Sequence, residues 1–401
     1  MPDRKPHILL ISPFMSGEAT GEAFIAFRWA EALAPLVDLT VAAFESPGHR
    51  PLAAQLPGAR AVTWVLPRAL RRHTRLGAML KPEWPVFARH VRRHLAGAEY
   101  DLTHQIMPQG MRYAVPLRHG RAPFVVGPLG GSLPTPPAFA HEVAPPGWFA
   151  RLRALDGLRL RHDSTLRASY REAALILGVA PYVRDALEAA GIAPRAYADV
   201  LELGIDDVAP PRIARGDGEI RLLHVGRGVR TKGLRDAVRA MARVDDPRLR
   251  LISAGDGPEL PECRAEADRL GIADRVTFHG LIPRAEVETL YAEADIFVFP
   301  SFREPAGNVV YEAMRWGLPM IVADAGGPGA FLGDDAAIKV PVTDPDRFAG
   351  DIAAAIGRLA ADPEARARLG QAARAQVLRD GLWPAKAVDL ARRYREIIAA
   401  G

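Results

Sequence analysis

Short apolar runs, each closed by glycine, proline or a polar residue, recur along the whole chain, and longer segments with apolar residues at helical spacing separate them. In the amino half the runs fall at residues 7–12, 38–44, 61–66, 101–105, 122–127, 174–178 and 198–203. A run that is apolar throughout, without alternation, predicts a strand covered on both faces, as in a parallel sheet. The carboxyl half repeats the pattern. Arg221-Leu-Leu-His-Val-Gly226, Leu251-Ile-Ser-Ala-Gly255 and Val276-Thr-Phe-His-Gly280 each read as a strand running into a glycine turn. Ala294-Asp-Ile-Phe-Val-Phe-Pro-Ser301 is a further run, stopped by Pro300. Val309, Val310, Ala313, Met314 and Trp316 then recur at helical spacing, Gly317-Leu-Pro319 ends that helix, and Met320-Ile-Val-Ala323 opens another strand. Strands alternating with helices predict an α/β protein.

Length adds the domain count. The 401 residues exceed a usual single core and suit two domains of about 200 residues each. The boundaries predicted are an amino-terminal domain over 1–205, a linker over 206–219 containing Pro210-Pro211 and several charges, a second domain over 220–380, and a terminal segment over 381–401.

Charge is divided unevenly. Residues 1–200 hold 24 Lys+Arg against 16 Asp+Glu, a net of +8, whereas residues 201–401 hold 28 against 31, a net of −3. Arg68, Arg71, Arg72 and Arg75, then Arg89, Arg92 and Arg93, then Arg151, Arg153, Arg159 and Arg161 form clusters interleaved with Leu, Phe and Trp148. Such a basic amphipathic face suits an anionic leaflet, and a plain solvated helix surface accounts for it equally well. No recognised nucleic-acid module accompanies the charge, so nucleic acid is not expected as a partner. No apolar run approaches the ~20 residues of a membrane span, which makes any membrane contact peripheral. Cys263 is the only cysteine, so no intrachain disulfide forms, and Met1 to Pro6 lead straight into a strand in place of a secretory signal. The expected location is the cytoplasm, at the inner face of the membrane where contact occurs. His90 and His94 stand at i,i+4 but lack a third ligand, and no metal site is expected.

Candidate chemistry centres on Glu304-Pro-Ala-Gly-Asn-Val-Val-Tyr-Glu312. Glu304 falls in the loop after a strand's carboxyl end, where open parallel sheets bind ligands, and free N–H groups from Ala306 to Val309 make an anion site at a helix start. At about 1.5 Å per residue the two glutamates stand at most about 12 Å apart along the axis. Carboxylates on either side of an anion site suit a ligand with hydroxyls flanking a phosphate, although a pair of charges at a helix start is by itself ordinary. The surroundings tilt the balance. Gly226-Arg227-Gly228-Val-Arg-Thr-Lys232-Gly233 is neither a P-loop nor a complete dinucleotide fingerprint, yet it presents two cations to the same sheet edge. Arg227 can grip a phosphate bidentately and Lys232 adds a point charge, which together neutralise a departing diphosphate without a metal. The Gly255-Asp-Gly257-Pro258 turn and the Gly280-Leu-Ile-Pro283 turn continue that edge.

Taken in this order, the motifs from about residue 220 to 375 resemble those of the family-4 retaining glycosyltransferases, the glycosyl transferases group 1 of the GT-B superfamily. The resemblance implies a GT-B fold, two Rossmann-like domains facing across a cleft, with the nucleotide held mainly by the second. It places Arg227 and Lys232 on the diphosphate, Glu312 on the ribose hydroxyls, and Glu304 with the backbone of Gly307 and Asn308 on the transferred sugar. Gly226, Gly255, Gly280, Leu281, Ala306 and Val309 complete the implied donor site. Ala306 departs from the phenylalanine frequent in similar sequences, which leaves a wider sugar pocket.

In the first half, Gly17 and Gly21 would let backbone amides approach the distal phosphate or the acceptor, and His104, closing a strand, would contact the transferring sugar as a catalytic residue. The resemblance also implies that the terminal segment crosses back to the first domain. The implied activity is a metal-independent, cofactor-free transfer of a hexose, with retention, from a nucleoside diphosphate to a glycan, lipid-linked or small-molecule acceptor. A non-catalytic nucleotide-sugar-binding scaffold and another GT-B enzyme, such as an epimerase, are the alternatives.

Overall fold

The computed structural model describes residues 4–70, 81–131, 133–143, 154–210 and 218–401. Its strands form two sheets in which every pairing is parallel. The first contains β1 (His7–Phe14), β2 (Asp38–Phe44), β3 (Arg60–Trp64), β4 (Leu102–Gln105), β5 (Phe124–Leu129), β6 (Leu175–Gly178) and β7 (Tyr197–Asp199), in the order β3-β2-β1-β4-β5-β6-β7. The second contains β8 (Ile220–Val225), β9 (Leu249–Ala254), β10 (Val276–Gly280), β11 (Ile296–Phe299), β12 (Met320–Ala323) and β13 (Ala337–Val340), ordered β10-β9-β8-β11-β12-β13. Six residues of β1 and all of β11 are buried, which is why these strands read as unbroken apolar runs.

Both sheets carry the doubly wound order in which the direction of winding reverses once, between β1 and β4 in the first and between β8 and β11 in the second. At such a reversal the connecting helices leave on opposite faces, so the loops diverge and open a crevice beyond the strands' carboxyl ends. That geometry decides which loops can form a site: those after β8 and β11 in one sheet, those after β1 and β4 in the other.

The chain divides into two compact units. One comprises Met1–Ser132, Pro146–Leu203 and Trp383–Gly401, the other Leu133–Pro145 and Gly204–Leu382. The first sheet and the helix Trp383–Ala400 lie in one unit, where the indole of Trp383 meets that of Trp29 edge-on at 5.5 Å. One boundary differs from the sequence reading. Residues 133–143 fall inside the expected 1–205 domain, yet they pack within the second unit: Phe139 lies 4.3 Å from Phe302 between ring centroids and edge-on to Phe348. A second difference concerns the linker. Asp207 forms an ion pair with Arg315 at 2.8 Å, so the start of the 206–219 segment is fastened to the second unit. Residues 211–217 lie outside the described residues, as do Arg71, Arg72, Arg75, Trp148, Arg151 and Arg153 of the basic clusters.

Candidate active site at the carboxyl edge of the second sheet

Three glycine turns interlock where β8, β9 and β10 end. Gly226 N–H donates to the Ala254 carbonyl at 3.0 Å, Gly255 N–H to the Gly280 carbonyl at 2.8 Å, and Gly228 N–H to the Asp256 carbonyl at 2.8 Å. The fit requires glycine at 255: its φ is 127°, and a Cβ there would lie 1.9 Å from the Gly226 oxygen. Leu281 follows Gly280 and stands 84% exposed at the end of this edge.

Arg227 leaves the first of these turns exposed to solvent, and its guanidinium has no partner among the described residues. Lys232 closes a single turn of 3-10 helix, Arg230–Lys232, and its Nζ forms an ion pair with the Glu304 carboxylate; both side chains are only 12% exposed. Two hydrogen bonds aim that turn. His224, the penultimate residue of β8, donates from Nε2 to the Lys232 carbonyl at 3.1 Å, and Ser301, just after β11, donates from Oγ to the Thr231 carbonyl at 2.9 Å. Burial pulls the His224 imidazole down to about 4, so it is neutral near pH 7 and adds no competing charge beside Lys232.

The loop after β11 is held as closely. The Glu304 carbonyl accepts from Gly327 N–H at 2.9 Å. The helix Asn308–Arg315 then starts from Gly307, whose φ of 90° and ψ of 60° turn the chain sharply into it, and no side chain caps its first N–H groups. Those groups stay available to an anion beside Lys232 and Arg227. Ala306 is buried against this start, Asn308 is exposed and Val309 half-exposed. One turn further on, Glu312 is oriented rather than free: Arg284 Nη1 donates to its Oε1 at 2.6 Å and the buried Tyr291 hydroxyl to its Oε2 at 3.0 Å. Burial first, and Glu312 second, push the Tyr291 phenol well above its usual range, so it remains a donor.

The residues expected from the carboxyl half therefore share one sheet edge. His224, Arg284, Tyr291 and Ser301 were not singled out as site residues. Their partners lie between 8 and 70 positions away, and nothing local in the sequence marks such pairs.

The family described as glycosyl transferases group 1 matches residues 207–376. That match spans most of the second unit. Over 167 residues, 40% of this chain and 46% of the relative, the sequence is 35% identical to the lipopolysaccharide core biosynthesis glycosyltransferase LpsD of Rhizobium meliloti (strain 1021). The chain spans about half the length of the curated relatives it matches. Sucrose-phosphate synthase from Thermosynechococcus elongatus has a TM-score of 0.69 at 22% identity, covering 99% of this chain and 100% of that one. HepE from Anabaena, in complex with UDP and glucose, has a TM-score of 0.62 at 19% identity with the same coverage. These likenesses identify the GT-B fold.

The residues singled out in the first unit take the following places. His104 is corrected. It does not stand at a rim: it is fully buried inside β4, Nε2 donating to the Gly127 carbonyl at 2.5 Å and Nδ1 accepting from the Tyr394 hydroxyl at 2.5 Å. With both ring nitrogens engaged and burial holding its pKa down to about 4, it has neither a free lone pair nor a proton for a substrate. Gly17 is corrected in the same sense, because its N–H is already donated to Gln55 Oε1 at 2.9 Å. It is glycine for packing: a Cβ would meet the Phe27 ring at 2.8 Å. Gly21, with φ 64°, starts the helix Glu22–Leu33 and has open space around it.

Proposed function

We propose that this chain moves a hexose-type sugar from a nucleoside diphosphate to a glycan, lipid-linked or small-molecule acceptor, with retention and without a metal. The observation that carries the reading is the Lys232–Glu304 ion pair, which joins the cationic turn after β8 to the loop after β11 at the winding reversal of the sheet. The ammonium of Lys232 finds its counter-charge in Glu304. A diphosphate lying between Arg227, Lys232 and the open start of the Asn308–Arg315 helix would share that cation and release Glu304 to accept from sugar hydroxyls.

In the transfer itself the acceptor hydroxyl oxygen bonds to the anomeric carbon on the face the diphosphate leaves, and the carbon–oxygen bond to the β-phosphate breaks. The hydroxyl proton passes to the departing phosphate oxygen, giving a glycoside and a nucleoside diphosphate. Arg227 and Lys232 stabilise the charge that develops on the leaving group, and the interlocked glycine turns keep them in place. Glu312, aimed by Tyr291 and Arg284, accepts from the ribose. The reaction is set in the cytoplasm; where the protein meets a membrane, the cationic first unit suits its anionic inner face.

The test is turnover and nucleotide binding together. Arg227→Ala with Lys232→Ala should abolish transfer while the far-UV circular dichroism is unchanged, since each lost contact removes on the order of 10²-fold or more. One of UDP, GDP, ADP or dTDP should raise Tm in the presence of chelator, and Glu312→Ala should remove that rise. UDP, which HepE binds, is the first to try. Retained turnover in the double variant, or no stabilisation by any nucleotide, sinks the reading.

A further inference from the structure

Two helices of the second unit meet along a seam of charged side chains. Arg284, Glu288 and Tyr291 stand at i, i+4 and i+7 on one face of the helix Arg284–Glu293. Opposite them, Glu312, Arg315 and Trp316 stand at i, i+3 and i+4 around the end of the helix Asn308–Arg315. Each side of the seam contributes one glutamate, and the two are satisfied to different degrees. Glu288 Oε1 accepts from Arg284 Nε at 3.0 Å and Nη2 at 2.8 Å, and Oε2 accepts from Arg315 Nη1 and Trp316 Nε1, each at 2.9 Å. A carboxylate offers about four lone-pair sites, so Glu288 has no capacity left for a ligand. Glu312 has. Among the described residues it accepts only from Arg284 Nη1 and the Tyr291 hydroxyl, one on each oxygen, and its side chain keeps 17% of its surface open. One acceptor site per oxygen remains, a pair that matches two neighbouring hydroxyls.

Arg284 is a poor anchor by itself. Its side chain is 63% exposed, and an exposed arginine gives up rotamer freedom to stay on one carboxylate. Two of its N–H groups on Glu288 fix the plane of the guanidinium, and Arg315 and Trp316 fix Glu288 in turn. A single N–H, that of Nη1, is then left for Glu312. Without Glu288 the guanidinium is free to turn and grip Glu312 with both prongs, and the bidentate pair covers the acceptor sites that a ligand needs.

We propose that Glu288 is a positioning residue for nucleotide recognition: by holding Arg284 it keeps one acceptor site open on each oxygen of Glu312, which makes the site selective for ribonucleoside over 2′-deoxyribonucleoside diphosphates. The proposal rests on the transferase reading for the ribose at Glu312 and narrows it, since a deoxynucleotide such as dTDP brings one hydroxyl where the pair accepts two. It is tested by calorimetric titration of the full chain with UDP, GDP and ADP and with their 2′-deoxy counterparts. At least one ribonucleotide should bind about tenfold more tightly than its 2′-deoxy counterpart, the effect of one hydrogen bond to a charged acceptor. Glu288→Ala should bring that ratio close to one by weakening the ribonucleotide alone; the 2′-deoxy nucleotide, held through its phosphates, reports that the fold and the phosphate site are intact. Glu288→Gln, which keeps the shape and gives up the charge, should lie between, and it decides the matter if the alanine variant does not fold. Adding Arg284→Ala to Glu288→Ala should restore part of the ratio, because no guanidinium is left to cover Glu312, whereas a merely structural seam would be damaged further. A ratio near one in the unaltered chain, an unchanged ratio in both Glu288 variants, or equal weakening of the two nucleotides overturns the proposal. Nucleotide binding without a ribose preference removes this inference alone, and no binding of any of the six nucleotides removes the transferase reading and this inference with it.

Discussion

His104 and Lys232 show how burial decides what a basic side chain can do. Lys232 is largely covered but faces the Glu304 carboxylate beside an open helix start, so its ammonium is directed. His104 is covered on every side by neutral partners, and desolvation pulls its pKa from 6.5 down to about 4. This depressed value has a consequence for stability. As pH falls below 6.5 the unfolded chain takes a proton on this histidine while the native chain cannot until about 4, so native stability is complete above 6.5 and declines through that window. His224 behaves alike in the other unit. Each should cost on the order of 2 kcal/mol between pH 6.5 and 4.5, above the range where the carboxylates lowered by arginine partners begin to protonate. Urea unfolding at pH 7 and pH 5 measures it: His104→Gln should narrow the gap between the two pH values. An undiminished gap would mean that His104 is not neutral in the native state.

Among the elements, the segment 133–143 is the one whose place the chain order disguises. Arg230, in the same 3-10 turn as Lys232, donates from Nη1 and Nη2 to both carboxylate oxygens of Asp236 at 2.6 and 2.8 Å and from Nε to Glu142 at 2.9 Å. Its guanidinium also lies over the rings of Phe139 and Phe302 at 5.4 and 5.2 Å. One buried arginine thus binds the segment, the helix Leu234–Met241 and the turn after β8 into a single assembly. Burial raises the Asp236 carboxyl against the pull of Arg230, so the aspartate depends on that partner. Arg230→Met should cost about 3–5 kcal/mol by stranding Asp236, and adding Asp236→Leu should restore much of it. Denaturant midpoints of the two variants decide the matter; a double variant no more stable than the single one would contradict it. The apolar runs made the strands legible, since a strand sandwiched between helix layers must be apolar on both faces. The partners of Arg230 were not legible, because Glu142 is 88 positions away and its neighbours belong to the other end of the domain prediction.

At the scale of the whole molecule, the chain passes between the two units four times, after residues 132, 145, 203 and 382. The last passage delivers Tyr394 to His104 and Trp383 to Trp29, so the first unit is completed only by the final helix. The charge asymmetry of +8 against −3 also belongs to this scale. On the helix Glu83–Leu95 the apolar residues Trp84, Phe87, Val91 and Leu95 are buried within the unit, while Arg89, Arg92 and Arg93 are exposed. Contact of this helix with an anionic leaflet would therefore be electrostatic, since its apolar face is already packed. Co-sedimentation should show binding to phosphatidylglycerol vesicles at low salt, weakened about a hundredfold by replacing the three arginines with glutamine, and none to zwitterionic vesicles. Equal binding to both vesicle types would refute it. The sequence by itself determined the alternation of strand and helix, the glycine turns and the residues that carry charge at the second sheet's edge. Each of these follows from covalent neighbours: which side chains a strand must bury, and which backbone a turn requires. The tertiary structure alone decided that His104 is sealed inside, that Gly17 has spent its amide, that 133–143 joins the second unit, and that His224, Ser301 and Tyr291 aim the site. Those outcomes depend on groups brought together across long separations, where solvent is excluded and every donor must find an acceptor, and no local pattern encodes who the partner will be.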